Sequence, residues 1–86
     1  MPFEIRIAPA ADKFLKKAEN TLRTRIIEKL RKLAEDPFPP DSKRVIGREE
    51  KVYRVRVGDY RILYIAYLEN NQIAVINIDK RSSVYR

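Results

Sequence analysis

The stretch VYRVRVGDYRILYIAYL, residues 52–68, alternates apolar and cationic side chains around a central Gly-Asp pair. Gly58–Asp59 has the composition of a two-residue hairpin loop, so the stretch predicts two antiparallel strands joined by a tight turn. Arg54, Arg56 and Arg61 lie inside these strands, where mutual repulsion and loss of hydration both oppose them. The hairpin accounts for the apolar residues, whereas the arginines need a separate explanation.

The predicted turn decides which side chains share a face of the sheet. It pairs Val57 with Tyr60 and Arg56 with Arg61, so Arg54, Arg56 and Arg61 project from the same side, the arginine face. The other side, the helix face, receives apolar and aromatic residues that can pack against helices: Tyr53, Val55, Val57, Tyr60, Ile62 and Tyr64.

A second turn, within Glu69–Gln72, leads into a last strand at residues 73–81, and its length sets the register. A loop of two or four residues would pair Arg61 with Lys80, and a three-residue loop at Asn70–Gln72 would pair it with Arg81. We favour the three-residue loop, because a slip of one residue exchanges the two faces of a strand. In this register the last strand is divided into Ile76 and Ile78 toward the helices, and Asn77 and Asp79 beside the arginines.

Four arginines would then gather on the arginine face: Arg54, Arg56, Arg61 and Arg81. Like charges placed opposite each other on a sheet cost about 0.2–1 kcal/mol per pair. Each arginine alone is explained as a solvated residue of a basic protein. The four together favour an anion, since planar bidentate guanidinium groups suit phosphate.

The rest of the chain predicts one α+β domain spanning residues 1–86. Residues 2–8 alternate as a strand, Pro9 suits the first turn of a helix, and Asn20 or Thr21 can cap a second helix that the prolines of residues 36–42 end. The order is an N-terminal strand, a helical hairpin, and an antiparallel meander of three or more strands.

The charge balance indicates a polyanionic partner. The formal net charge is +7, and residues 43–86 carry most of it, with 10 Lys and Arg against 5 Asp and Glu. The chain has no cysteine and no histidine, which removes disulfides, thiolate metal sites and the usual neutral-pH base. We expect a cytoplasmic protein, because no signal-peptide pattern or membrane-spanning stretch is recognisable.

The combination of a helical hairpin, a Pro-bearing break, VYRVRVGDYRILY and a closing KRSSVYR resembles the RelE/ParE superfamily of toxins from toxin–antitoxin pairs, most closely the RelE branch. The resemblance implies a ribosome-dependent endoribonuclease that cuts mRNA without a metal or another cofactor. It also implies an acidic, RelB-like antitoxin as partner. Two alternatives stay open, a ParE-like toxin that inhibits DNA gyrase and a non-catalytic RNA-binding module.

The resemblance also implies site roles. Arg54 and Arg56 occupy two basic positions where the family commonly has lysines that act as base and charge stabiliser. Arg61 matches the arginine that holds the scissile phosphate, and Arg81 the one that stabilises the transition state or protonates the leaving oxygen. Tyr85 matches the aromatic residue that stacks on a codon base. Arginine at the lysine positions leaves the general base unassigned, because arginine stays protonated at neutral pH.

Two surfaces carry further hypotheses. The basic residues outside the arginine cluster are either an ordinary solvated surface or RNA contacts, and we predict RNA contacts at Lys13, Lys16, Lys17, Arg23, Lys29 and Lys80. Leu63, Ile65 and Val75 fall on the arginine face in the favoured register. They either form a patch for the antitoxin or are covered by residues 43–51 or another strand.

Overall fold

The computed structural model describes residues 2–47 and 49–80. The elements in chain order are β1 (Glu4–Ile7), α1 (Pro9–Lys17), α2 (Asn20–Glu35), β2 (Lys43–Arg44), β3 (Tyr53–Val57), β4 (Tyr60–Tyr67) and β5 (Gln72–Lys80). A single 3-10 turn, Leu68–Asn70, joins β4 to β5.

The strands form one five-stranded sheet in the order β1-β5-β4-β3-β2. β1 pairs in parallel with β5, and the other neighbours are antiparallel. Both helices lie between the first two strands in sequence, so the chain crosses from the β1 edge of the sheet to the β2 edge before the meander begins. The predicted α+β class and element order are confirmed.

Proline sets two of the helix boundaries. Pro9 is the first residue of α1, where its missing N–H leaves no bond unmade, and α2 ends at Glu35, just before the proline-rich segment. The predicted cap of α2 is wrong: Glu19 is the N-cap residue, and it makes no side-chain capping bond. The Asn20 carboxamide instead accepts a hydrogen bond from Arg23 Nη1 at 2.6 Å, so it is occupied inside the helix.

The main core fills the space between the helices and the helix face. It contains Ala11 and Leu15 from α1, Ile26, Leu30 and Leu33 from α2, and seven sheet residues, Val55, Val57, Ile62, Tyr64, Ile73, Val75 and Ile78. Tyr64 is completely buried, and its hydroxyl donates a 2.6 Å hydrogen bond to the carbonyl of Pro37. Burial raises the pKa of Tyr64 to about 12, because the phenolate would lose its hydration. The phenol therefore ties β4 to the segment that ends α2.

A smaller apolar cluster lies on the arginine face. Val52, Leu63 and Ile65 are buried there, and Val45 and Ile76 pack against them. The alternative in which residues 43–51 cover Leu63 and Ile65 is thus correct, since Val45 belongs to that segment. Two placements on β5 are wrong: Val75 lies in the main core, and Ile76 lies on the arginine face.

Within the described residues, neither helix has the length and apolar character needed to cross a membrane.

Candidate nucleic-acid interface

The β3–β4 hairpin places its arginines as predicted. Val57 pairs with Tyr60, Arg56 pairs with Arg61, and Arg54 lies two residues along β3 from Arg56. Gly58 makes the turn with φ +59°, a left-handed conformation that favours glycine. Because side chains alternate along a strand, Arg54, Arg56 and Arg61 project from one face. The core residues of β3 and β4 project from the other: Val55, Val57, Ile62 and Tyr64.

A carboxylate lies beside this cluster. Asp79 of β5 is directly opposite Arg61. Arg61 Nε donates to Asp79 Oδ1 at 3.0 Å, and Nη2 donates to Oδ2 at 3.2 Å, which is a bidentate pair. The Arg61 side chain is only 21% exposed. Asp79 therefore fixes the plane of the Arg61 guanidinium and offsets part of the repulsion from Arg56.

The predicted pairing of Arg61 with Arg81 is wrong, because Arg61 pairs with Asp79. Four residues, Leu68 to Asn71, connect the paired residues Tyr67 and Gln72, and the ladder then shifts between Leu63 and Tyr64. Leu63 faces Asn77 while Tyr64 faces Val75, so Ile76 is an extra residue on β5. This β-bulge explains why Ile76 and Val75 exchange faces relative to the prediction.

The fourth arginine and the predicted stacking residue, Arg81 and Tyr85, lie outside the described residues. Their roles stay predictions.

Sequence reasoning missed one cation of this face, Lys43. It pairs with Arg54 across β2 and β3, so the two side chains share a face. β2 has only two residues, both exposed, and such a short edge strand leaves no periodicity to detect. The arginine face thus extends across the sheet from β4 to β2.

The basic residues predicted to contact RNA have different local environments. Lys16 forms a 3.1 Å ion pair with Asp12, and Lys29 contacts Asp41 at 2.7 Å. The Lys29 ammonium lowers the pKa of Asp41 by hydrogen bonding to its carboxylate. Lys80, at the end of β5, is exposed. Lys13 and Lys17 line a groove of about 460 Å³ whose apolar wall includes Phe14, Leu22 and Tyr60.

Arg23 has an evident structural role. Its Nε donates to the Leu15 carbonyl at 2.9 Å, and Nη2 donates to the Ala18 carbonyl at 2.6 Å. These carbonyls belong to the end of α1, where the helix leaves acceptors without helical partners. Arg23 therefore joins the end of α1 to the start of α2, and its contact with RNA stays a prediction.

The possible bases are limited by this geometry. Asp79 is on the arginine face, but each of its carboxylate oxygens already accepts a hydrogen bond from Arg61. This arrangement suits positioning of the guanidinium better than proton removal. The face as a whole can bind an anion and stabilise developing negative charge.

Comparisons with known proteins identify the family of the chain. A family model described as the ParE toxin of the type II toxin–antitoxin system parDE matches residues 5–85. The chain is 30% identical to the curated protein RelE1 of Methanocaldococcus jannaschii, over 100% of this chain and 98% of that protein.

Solved structures show the same fold. The RelE–RelB complex from Pyrococcus horikoshii contains a chain that aligns with a TM-score of 0.84 at 24% identity, covering 98% of this chain and 100% of that one. The isolated E. coli RelE toxin aligns with a TM-score of 0.79 at 26% identity, covering 96% and 90%. With the family model and the curated relative both spanning nearly the whole sequence, the chain belongs to the RelE/ParE superfamily of type II toxin–antitoxin toxins, and it is RelE-like.

Proposed function

We propose that this toxin is a ribosome-dependent endoribonuclease that cuts mRNA and thereby stops translation in the cytoplasm. The observation that carries the proposal is the arginine face, on which Arg54, Arg56 and Arg61 project together and Asp79 orients Arg61. A face with several guanidinium groups suits a phosphodiester, because each group can donate two parallel hydrogen bonds to phosphate oxygens.

The reaction that fits these residues is attack of a ribose 2′-hydroxyl on the adjacent phosphorus. The 2′-oxygen forms a bond to phosphorus, the bond to the 5′-oxygen breaks, and a 2′,3′-cyclic phosphate and a 5′-hydroxyl result. Negative charge accumulates on the phosphorane between these events. Fixed cations stabilise such charge, and loss of one preorganised donor at a comparable site costs about 3–4 kcal/mol.

Removal of the proton from the 2′-hydroxyl is poorly served by these arginines. Arginine remains protonated at neutral pH and is a poor base. The proposal therefore assigns most of the rate enhancement to in-line geometry and charge stabilisation, with Arg61 as phosphate ligand and Arg54 and Arg56 as further charge stabilisers. Arg81 and Tyr85 retain the roles that the family resemblance implies for them.

An acidic antitoxin is the proposed partner that neutralises the toxin. Two observations support it: the net charge of +7, and the RelE–RelB complex among the structural neighbours. An acidic segment that covers the arginine face would exclude RNA from it and replace repulsion between arginines with attraction.

A second candidate function is inhibition of DNA gyrase, and the observation that favours it is the match to a family model of ParE toxins. A gyrase inhibitor acts by binding and needs no cleavage site. A non-catalytic RNA-binding module is the third candidate, because it needs the cations but not a base.

One experiment separates the three. The purified protein is added to a translating ribosome extract, mRNA ends are mapped by primer extension, and a gyrase supercoiling assay is run in parallel. We expect new ends within codons, and we expect Arg61→Ala to reduce cleavage by about 10²–10³-fold. Arg31→Ala is the matched control, because it removes an exposed α2 arginine outside the face.

Loss of supercoiling without new mRNA ends would replace the nuclease by the gyrase inhibitor. RNA binding with neither effect would leave the binding module. Full cleavage by Arg61→Ala would refute the assigned role of the arginine face.

A further inference from the structure

A second cationic feature lies between α2 and the tip of the β3–β4 hairpin. It is a recess of about 220 Å³, called here the α2–hairpin recess, and its lining consists of Arg25, Glu28, Lys29, Lys32, Arg56, Val57 and Gly58. Four of these side chains are cationic and one is anionic, so the lining has an excess of positive charge. β2 pairs only with Tyr53 and Arg54, so the described strands leave the edge of β3 open beside this recess.

The cations that α2 contributes to the recess share one side of the helix because of their spacing in the sequence. Arg25, Lys29 and Lys32 are four and three residues apart, which places them on one side of α2 in successive turns. Like charges at this spacing destabilise a helix by about 0.2–0.5 kcal/mol per pair. Asp41 compensates Lys29 through their 2.7 Å contact, and Glu28 is the carboxylate of the lining, so the positive charges of the recess are only partly compensated. An arrangement that costs stability without an anion indicates a site for one.

The hairpin borders the recess through its turn at Gly58, which lies against Arg25. A Cβ atom at this position would lie 3.4 Å from Nη2 and 3.5 Å from Nη1 of Arg25, so the guanidinium rests against the turn where another residue would carry a side chain. Gly58 serves the turn through its positive φ, and a Cβ atom there would meet Arg25 only at ordinary van der Waals distance. The Arg25 guanidinium therefore lies beside the hairpin that carries Arg56 and Arg61.

We propose that the α2–hairpin recess binds a backbone phosphate of the RNA, next to the segment that lies on the arginine face. The inference rests on the proposed function, since it extends the same RNA path. Arg56 links the two sites, because it pairs with Arg61 in the hairpin and also lines the recess. The RNA backbone passes from the arginine face around the open edge of β3 to α2.

The lining favours RNA over an acidic protein segment. An amphipathic helix that docks on a protein buries its apolar side in a hydrophobic groove. The α2–hairpin recess offers only Val57 as a large apolar contact, and its other side chains are charged. Phosphate groups need cations and no apolar surface, which is what this lining supplies.

The test measures binding of a fluorescein-labelled oligouridine by fluorescence anisotropy at several salt concentrations. Each phosphate contact on single-stranded nucleic acid contributes about 0.7 to the slope of log affinity against log salt. We expect Arg25→Gln/Lys32→Gln to reduce the slope by about 0.7, the contribution of the one phosphate, and Arg25→Gln alone to reduce it by less. Arg31→Gln, on the same helix outside the recess lining, leaves the slope unchanged.

The charge-preserving variant Arg25→Lys/Lys32→Arg separates charge from folding, because it keeps the slope if phosphate contact is the cause. An unchanged slope in Arg25→Gln/Lys32→Gln would overturn the inference, as would failure of the wild-type protein to bind the oligouridine. A polyglutamate peptide that loses affinity for the double variant while RNA does not would assign the recess to an acidic protein and overturn it as well.

The salt slope tests the recess and the nuclease assay tests the proposed function, so either can fail without the other. If the double variant changes the slope but the wild-type protein cuts no mRNA in the ribosome extract, the RNA-binding recess stands and the proposed nuclease function fails. If the slope is unchanged but Arg61→Ala abolishes cutting, the nuclease function stands and the recess fails.

Discussion

The two faces of the sheet are built on opposite principles. The helix face has a continuous apolar core in which Ile62, Tyr64 and Ile73 are fully buried, and none of the described charged residues is buried in it. The arginine face has a small cluster around Val52, Leu63 and Ile65, surrounded by cations. The helix face supplies most of the folding free energy. On the arginine face, repulsion between neighbouring cations lowers the stability of the fold. Changes on the two faces should therefore differ in what they impair.

The largest difference is expected between two neighbours on β4. Ile62→Ala opens a cavity in the main core and should lower the free energy of unfolding by about 2–5 kcal/mol. Leu63→Ala, in the smaller cluster at 8% exposure, should cost less because that site can collapse and admit water. Urea unfolding monitored by circular dichroism measures both. Equal losses would mean that the two faces contribute alike.

An arginine that joins the two helices should also differ from one on the arginine face. Arg23→Ala removes charged hydrogen bonds to the carbonyls of Leu15 and Ala18, and we expect a loss of about 1.5–3 kcal/mol in unfolding free energy. Arg54→Ala removes a cation from the repulsive cluster and should be within about 0.5 kcal/mol of the wild type. Thermal and urea unfolding of the pair test this. A larger loss at Arg54 would show that the arginine face stabilises the fold.

The buried phenol of Tyr64 gives the helix face a pH dependence. Its folded pKa of about 12 exceeds the ordinary value of 10.0, so above pH 10 the unfolded chain releases a proton that the folded protein retains. The stabilisation is fully present below pH 10 and is lost as the pH rises toward 12.

Tyr64→Phe should lower stability near neutral pH by about 1–3 kcal/mol, because the Pro37 carbonyl loses its donor. It should also flatten the alkaline decline. Urea midpoints between neutral pH and pH 11 measure both effects, and an identical decline in the variant would exclude Tyr64 as its source.

The smallest effect concerns the ion pair of the arginine face. Asp79→Asn should lower stability by about 0.2–1 kcal/mol at low salt, since the pair with Arg61 is partly exposed, and the loss should diminish at high salt. The same substitution at Asp12, which pairs with Lys16 on α1, is the matched control. A loss at Asp79 well above this range would place Arg61 among the stabilising residues of the fold.

The parts of the fold that sequence predicted are those decided by neighbouring residues. The hairpin register followed from Gly58–Asp59 and from strict alternation on both sides of it, and the start of α1 and the end of α2 followed from proline. The parallel pairing of β1 with β5 was not predicted, because the paired residues are far apart in sequence. The same holds for β2, whose two residues form a strand only through contact with β3.

The candidate site was predicted unevenly for the same reason. Arg54, Arg56 and Arg61 were assigned to one face from the hairpin alone. The contact between Asp79 and Arg61 required the register of β5, and that register depends on an extra residue that no composition rule reveals. Arg23 and Arg25 resemble any other helical arginine in sequence, yet one joins the helices and the other rests on Gly58.

The β-bulge at Ile76 has a consequence for how substitutions along β5 should be interpreted. Before it, the inward positions are Ile73 and Val75, and after it the inward position is Ile78, so the inward spacing changes from two residues to three. In a mutational scan of β5, polar substitutions should therefore be tolerated at even-numbered positions before the bulge and at odd-numbered positions after it. Deleting Ile76 would place Asn77 directly after Val75, restore an even alternation and leave Asp79 opposite Arg61, whereas deleting Asn77 or Ile78 would move Asp79 out of this pairing.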